Sequence, residues 1–240
     1  MDPLTLPVSY FVLGISYLAV ASFSLWKGPI RRLKVAAMLV CYSIAGWAFF
    51  SVGMVLAKDA STALFWAKLF MAFAVFIPFF NLLFIHSFLS TNFSSVRLKK
   101  RVLMIPFVLS LSFLISDVTP FLLASVSLRP GNFYFKDPGF LYHFFELYFS
   151  VVTAYCAWLL FKVFQASSKG STEERKSCFL LCSLVFSYFA GGMSYLLAYN
   201  QVSSIVVSIG NYGAITYSLA IVCVIKERQS THTKVYLESI

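Results

Sequence analysis

The sequence predicts an all-α, polytopic membrane protein: a bundle of seven transmembrane helices with the N-terminus outside and the C-terminus in the cytoplasm. Of its 240 residues, 60% are hydrophobic and 12% are charged, against roughly 45–50% and 25% in soluble domains. The apolar residues form seven stretches, each close to the roughly 20 residues that cross a bilayer. This composition excludes a soluble enzyme, a disordered segment and a nucleic-acid-binding domain.

The spans are expected in one membrane domain, residues 1–228, followed by a short cytoplasmic tail, residues 229–240. The first stretch has neither preceding basic residues nor a cleavage pattern, so we expect it to be retained as a span. Pro78 should kink the third span without ending it, because neighbouring groups can satisfy a freed carbonyl. The predicted spans are approximately 7–26, 35–57, 63–89, 102–126, 139–164, 177–199 and 203–225.

The distribution of basic residues predicts the orientation. Of 19 Lys and Arg residues, 15 fall in the first, third and fifth connections and the C-terminal tail. The other four are Lys58, Lys68, Arg129 and Lys136. Basic residues collect on the cytoplasmic side of a membrane protein, so the alternation places the N-terminus outside. The same distribution accounts for the net charge of +10 without a nucleic-acid partner.

The connection between the fourth and fifth spans is the longest on the outer side. It is rich in aromatic residues and carries turn signals at Pro130-Gly131 and Pro138-Gly139. Two interpretations stay open at this point. The connection could fold back over the bundle as a lid, or it could be an ordinary loop held at the membrane interface by its aromatic side chains.

Polar residues within the spans give the candidate site, because polar groups in hydrocarbon usually face the bundle interior. His143, Glu146, Ser150 and Thr153 recur at helical spacing along one stripe of the fifth span. A shared depth in the outer half is predicted for five residues: Lys68, Asp117, His143, Glu146 and Asn211. The functional hypothesis is a pocket among the third to seventh spans for a small polar or amphiphilic ligand. The structural alternative is an ion pair of Lys68 with Glu146 or Asp117.

Small residues mark expected helix contacts, because small side chains at four-residue spacing let two helices approach closely. The positions concerned are Gly210, Ala214 and Ser218 in the last span and Gly191 and Gly192 in the sixth.

No catalytic motif is present, so we expect neither an enzyme nor a bound cofactor. The sequence lacks an HExxH motif, a phosphate-binding glycine loop and a GxSxG elbow. Its nine acidic residues are dispersed, and no ligand set for a metal is evident. The five cysteines lie in or near apolar segments, which argues against a disulfide framework.

Several segments carry a resemblance to a known family. The second span contains AGWAFFSVG at 45–53, and the third contains ALFWAKLFMAFAVFIPFFNLLF at 63–84, with Trp66 and Lys68 at its entry. An outer loop ending in an aromatic-glycine element precedes the last three spans, and the last two of these read GGMSYLL and GNYGAITYSLA. In the order of these features, residues 7–228 resemble the N-terminal seven-transmembrane sensor region of bacterial histidine kinases.

The resemblance implies a sensory module in the bacterial cytoplasmic membrane, usually within a homodimer. Such a module senses a small ligand or a membrane state and relays it through the last span to a cytoplasmic output domain. About 15 residues follow the last predicted span, and they contain no phosphoacceptor helix or ATP-binding domain. We therefore expect the chain to be either an excised sensor region or a separate protein that acts through a partner.

Two other functions stay open. A small transporter would have related halves and a binding site at broken helices near the midplane. A structural or assembly factor would need no ligand at all.

Overall fold

The computed structural model describes residues 4–27, 31–92, 100–129, 132–199 and 204–238. Within these ranges the protein is mostly helical, and one antiparallel pair of strands interrupts the helices. The elements are α1 (Thr5–Lys27), α2 (Arg31–Leu56), α3 (Ala60–Ala74), α4 (Ile77–Asn92), α5 (Lys100–Asp117), β1 (Leu123–Arg129), β2 (Phe133–Pro138), α6 (Phe140–Ala166), α7 (Thr172–Tyr199) and α8 (Ser204–Glu238).

Five helical segments of the described chain are long and apolar enough to cross a membrane. They belong to α1, α2, the combined segment Ala60–Ser90, α6 and α8. A sixth apolar segment, Val102–Asp117, is shorter. Length and composition therefore support an integral membrane protein, as the sequence predicts.

The third predicted span consists of two helices, α3 and α4, separated at Val75 and Phe76. The break lies just before Pro78, whose ring prevents a regular helix through the preceding turn. The carbonyl of Val75, which a continuous helix would bond internally, accepts a hydrogen bond of 2.7 Å from Ser110 Oγ of α5. A neighbouring helix thus satisfies a backbone group that the break exposes, as membrane helices require.

The fourth predicted span, 102–126, is wrong at its C-terminal end. Helix α5 ends at Asp117, and the chain turns at Val118–Phe121 before entering β1. Pro120 accounts for the end, because the residue before a proline is disfavoured in helical conformation. Thr119 Oγ1 donates to the Ser116 carbonyl at 2.6 Å and so caps one of the last free carbonyls.

The all-α prediction also needs correction, because the long connection between the fourth and fifth predicted spans is a β-hairpin. Asp137 on β2 accepts hydrogen bonds from Ser125, Ser127 and Arg129 on β1, at 2.8, 2.8 and 2.9 Å. At the turn, Asn132 takes a positive φ of 58°, which Asn tolerates better than most residues. The hairpin packs against α2, α3 and α6. We call the end of the bundle that it covers the hairpin end.

Glycines in α2 and α8 allow close helix contacts. A Cβ on Gly53 would lie 2.6 Å from the ring of Trp66, and one on Gly46 would overlap the ring of Phe73. Both aromatic residues come from α3, so two aromatic side chains of α3 pack against the glycines of α2. On α8, Gly213 brings the backbone against α7, where a Cβ added to the glycine would lie 2.6 Å from the Cβ of Ala190. Helix α8 packs along both α1 and α7.

Among the glycines whose surroundings the structure describes, Gly139 is the one at which an added methyl group should cost most. This residue is the N-cap of α6, its N–H donates to the Leu122 carbonyl at 3.0 Å, and a Cβ would overlap the backbone of Phe121. Because backbone cannot move as cheaply as a side chain, we expect Gly139→Ala to destabilise the fold by about 1–3 kcal/mol. The measurement is the free energy of unfolding in detergent micelles.

The matched control is Gly191→Ala on α7. No described atom lies within 4 Å of a Cβ at Gly191. Alanine at a helical position should therefore leave stability unchanged or raise it by up to about 1 kcal/mol. Equal losses in the two variants would contradict the role given to Gly139.

Candidate functional site

A cavity of about 420 Å³ lies inside the bundle. Residues of α1, α2, α3, α4, α6, α7 and α8 line it, together with one residue of β2. Its size falls within the roughly 300–1,000 Å³ of small-molecule sites, which are apolar with a few placed polar groups. Much of the wall is aromatic, including Trp47, Phe70, Phe145, Phe149 and Tyr188.

The single strand residue in the lining is Lys136, which the hairpin carries to the cavity. Its side chain is 4% exposed. The Nζ atom lies 4.9 Å from the ring centre of Phe70 and 4.2 Å from that of Tyr142, and it donates a hydrogen bond to the Tyr142 hydroxyl. Cation–π contacts and this hydrogen bond offset part of the cost of burying an ammonium group.

The remaining cost of burying the charge lowers the pKa of the lysine. Burial lowers the pKa of Lys136 from 10.5 to about 7, and the carboxylate of Glu146 acts in the opposite direction. Glu146 lines the same cavity from α6. Burial therefore disfavours the charged form of Lys136, and the carboxylate of Glu146 favours that form.

Glu146 lies at the more accessible side of the site. Its side chain is 42% exposed, and its Oε2 lies 3.4 Å from Nδ1 of His143, whose side chain is 67% exposed. His143 is not among the residues that line the cavity. Of the stripe predicted on the fifth span, Glu146, Ser150 and Thr153 face the cavity, and the Oγ of Ser150 lies 2.5 Å from the hydroxyl of Tyr188.

Lys68 and Asp117 lie together but outside the cavity. Lys68 Nζ donates to the Val118 carbonyl at 3.2 Å, and its charge also acts on Asp117. Asp117 is 5% exposed, and its Oδ1 has no hydrogen-bond partner among the described residues. Neither ion pair considered for Lys68 is formed within 4 Å among the described residues.

Asn211 belongs to a row of hydrogen bonds that holds α8. Asn211 Nδ2 donates to Ser9 Oγ of α1 at 3.0 Å, and Tyr17 Oη of α1 donates to the Ala214 carbonyl at 2.9 Å. The hydroxyl of Tyr217 donates to Oδ1 of Asn81 on α4. The three α8 positions are spaced three residues apart, so they lie close together on one side of the helix. The second and third of these bonds border the cavity, because Tyr17, Asn81, Ala214 and Tyr217 all line it.

The predicted helix-contact residues take several positions. Ala214 and Gly191 line the cavity. Gly210 and Ser218 are buried, and Ser218 Oγ donates to the Ile215 carbonyl of its own helix at 2.7 Å. Gly192 lies outside the residues whose side-chain surroundings the structure describes.

A second polar group joins the broken helix to α5 and α6. Besides its bond to Val75, Ser110 Oγ lies 2.9 Å from the hydroxyl of Tyr148, and that hydroxyl donates to the Pro106 carbonyl at 3.0 Å. The hydroxyl groups of Ser110 and Tyr148 thus take part in three short polar contacts in a buried position. This group therefore joins the α3–α4 break to α5 and α6.

From its sequence, Lys136 is predicted only as one of the four basic residues on the outer side. Its signal was present in the segment SVSLRPGNFYFKDP, where two alternating runs flank a Pro-Gly turn. That pattern is typical of a hairpin, and a single lysine among three aromatic residues is a candidate for burial with its stem against rings. Of the two interpretations of this loop, folding over the bundle is the one seen.

These features define a class: a helical membrane protein that encloses a cavity of ligand size beneath a hairpin. A family model described as the N-terminal 7TM region of histidine kinase matches residues 9–229. The chain belongs to this family, which confirms the resemblance and indicates a membrane sensory module. The family is the sensor region alone and does not include the catalytic kinase domain. None of the curated proteins compared with the chain matches it.

The lowered pKa of Lys136 predicts that stability rises with pH. Between about pH 7 and 10.5 the unfolded chain holds a proton on this lysine that the folded chain has released. The free energy of unfolding should therefore increase across this window by up to about 1.4 kcal/mol per pH unit. Thermal unfolding in detergent at successive pH values measures it, with Lys136→Met as the variant that should lose this rise.

Other titrating groups cancel in the difference between the wild-type and Lys136→Met curves. Lys169→Met is the control, since Lys169 is exposed in the α6–α7 connection, and its curve should follow wild type. Parallel curves for wild type and Lys136→Met would show that the lysine is not desolvated.

Proposed function

We propose that the chain is a sensory module whose cavity binds a small ligand and whose last helix transmits occupancy to a cytoplasmic output domain. The observation that carries the proposal is that one cavity is bordered by Lys136 of the hairpin and by Ala214 and Tyr217 of α8. A ligand there would touch both the hairpin end and the helix that leaves the bundle. It would shift the equilibrium only by binding one arrangement of α8 more tightly than another.

The course of α8 supports the relay. The apolar segment Val207–Ile225 is followed without interruption by further helical residues up to Glu238. A displacement of the helix at the cavity would therefore be carried along its axis, as in helix-shift switches. The output domain would follow this helix in a longer chain or belong to a partner, and the working unit would be a homodimer.

We extend the proposal to seven spans in a bacterial cytoplasmic membrane, with the hairpin end outside. The family description and the distribution of basic residues support this topology. The spans would comprise α1, α2, α3 with α4, α5, α6, α7 and α8. Of the site residues predicted from sequence, Glu146 would contact ligand, and Lys68, Asp117, His143 and Asn211 would form the surrounding polar framework.

The orientation can be tested with two exposed positions on opposite ends. We expect Leu128→Cys on the hairpin to react with a membrane-impermeant maleimide in intact spheroplasts, and Lys169→Cys to react only after permeabilisation. Both are made in a chain whose exposed Cys182 and Cys223 are alanine. The reverse labelling pattern would overturn the orientation, and labelling of both positions in intact spheroplasts would overturn the odd number of spans between them.

Filling the cavity should displace α8. Thr153 is buried and lines the cavity from α6, so Thr153→Trp should push against the α8 residues across it. With spin labels on Cys223 and Val35→Cys, and with Cys178 and Cys182 replaced by alanine, we expect the distance between the labels to change by about 1–2 Å. Pulsed electron double resonance measures that distance.

Val151→Trp is the matched control, because Val151 lies two residues away on α6 and is 59% exposed. The control should keep the wild-type distance. If Thr153→Trp folds with wild-type thermal stability and also keeps that distance, occupancy of the cavity does not move α8. Should it fail to fold, the smaller Thr153→Ile change supplies the same comparison.

A transporter is the second candidate, because the helix break lies at the cavity wall: Ala74 and Ile77, on either side of it, both line the cavity. Broken helices at a central site are typical of transporters. Ala74→Cys distinguishes the two functions. In a sensor with an outward-facing site, aqueous maleimide would reach this cysteine from the hairpin end at most. Labelling from both sides of the membrane would favour transport.

A further inference from the structure

Building on the proposed sensory function, we infer that the cavity is a site for a single-chain amphiphile with an anionic head, such as a medium-chain carboxylate. Its head would pair with the ammonium of Lys136, and its chain would lie among the aromatic and aliphatic residues of the wall. The proposal deepens the assignment of the cavity by naming the ligand class.

The first step concerns the sign of the charge. Lys136 is almost fully buried, whereas the side chain of Glu146 is 42% exposed. Water can still solvate the glutamate, but the ammonium depends on groups inside the cavity. An anion beside Lys136 would therefore stabilise the protonated form of this buried lysine, whereas a cationic head would place a second positive charge beside that form. A neutral head would gain a hydrogen bond without the charge assistance that strengthens such bonds.

The second step concerns the rest of the ligand. Phe70, whose ring faces the ammonium, continues into a wall built from Trp47, Met71 and Phe145. An aliphatic chain matches these surfaces, and a multiply charged or sugar-like body would leave polar groups unpaired against them. The volume of about 420 Å³ favours one chain over a two-chain phospholipid.

The test is equilibrium binding of radiolabelled decanoate to the full chain in phosphatidylcholine nanodiscs, with decanol and decyltrimethylammonium as competitors of equal chain length. We expect decanoate to bind at least tenfold more tightly than decanol and decyltrimethylammonium to compete least. Lys136→Met should reduce decanoate binding to the level of decanol, and Lys136→Arg should retain the preference. Thr153→Trp should block binding of both, and Val151→Trp should not.

The outcomes separate this inference from the proposed function. Equal binding of decanoate and decanol, both blocked by Thr153→Trp, would overturn the anionic head and leave the ligand cavity standing. If Thr153→Trp reduces the binding of none of the probes, both the anionic head and the ligand cavity are overturned. If Lys136→Met does not fold, the wild-type comparison of the three probes decides alone. Loss of decanoate binding in phosphatidylglycerol nanodiscs would assign the site to a lipid headgroup and overturn a free amphiphile.

Discussion

Burying an ammonium group costs free energy, so the surrounding structure must fix its position. In this protein the hairpin fixes the position of Lys136. The hydrogen bonds that Asp137 accepts from Ser125, Ser127 and Arg129 fix the pairing of β1 with β2. That pairing sets where Lys136 enters the bundle, because a shift of one residue would move a strand's side chains to the opposite face. The rings of Phe70 and Tyr142 then form cation–π contacts with the ammonium of Lys136. This arrangement places a basic group in the wall of a cavity whose other lining residues come from the helices.

The opposite wall of the cavity depends on hydrogen bonds between helices. Tyr17, Asn81 and Asn211 connect α8 to α1 and α4 through hydrogen bonds that are buried or partly buried. Bonds of this kind are of modest strength in membrane proteins, which is compatible with the displacement of α8 that we propose. The hydroxyls of Ser110 and Tyr148 instead join the α3–α4 break to α5 and α6. Two separate groups of hydrogen bonds therefore connect the helices, one around α8 and one around α5.

Sequence reasoning predicted the elements whose identity depends on length and hydrophobicity alone. The first, second and fifth predicted spans lie within a few residues of α1, α2 and α6. The prediction was wrong at Val118–Val126, because an apolar segment that follows a helix resembles a continuation of that helix. The signals against a helix there are Pro120 and the alternation of polar and apolar residues through Ser125 and Ser127. Of the stripe predicted on the fifth span, Glu146, Ser150 and Thr153 line the cavity and His143 does not. The sequence alone could not separate Lys68 from Lys136, because which of two lysines is buried depends on tertiary packing.

The uninterrupted α8 also has a mechanical consequence. Its 35 residues form a rod of about 52 Å, at about 1.5 Å per residue. The hydroxyl of Tyr217 is anchored to Asn81 part of the way along the rod, and about 30 Å of helix extends from there to Glu238. A tilt of about 10° around that anchor would carry the far end through about 5 Å. In the sensory module that we propose, α8 would therefore act as a lever with its fulcrum beside the cavity, and a displacement smaller than one bond length at the wall would become several times larger where the helix ends.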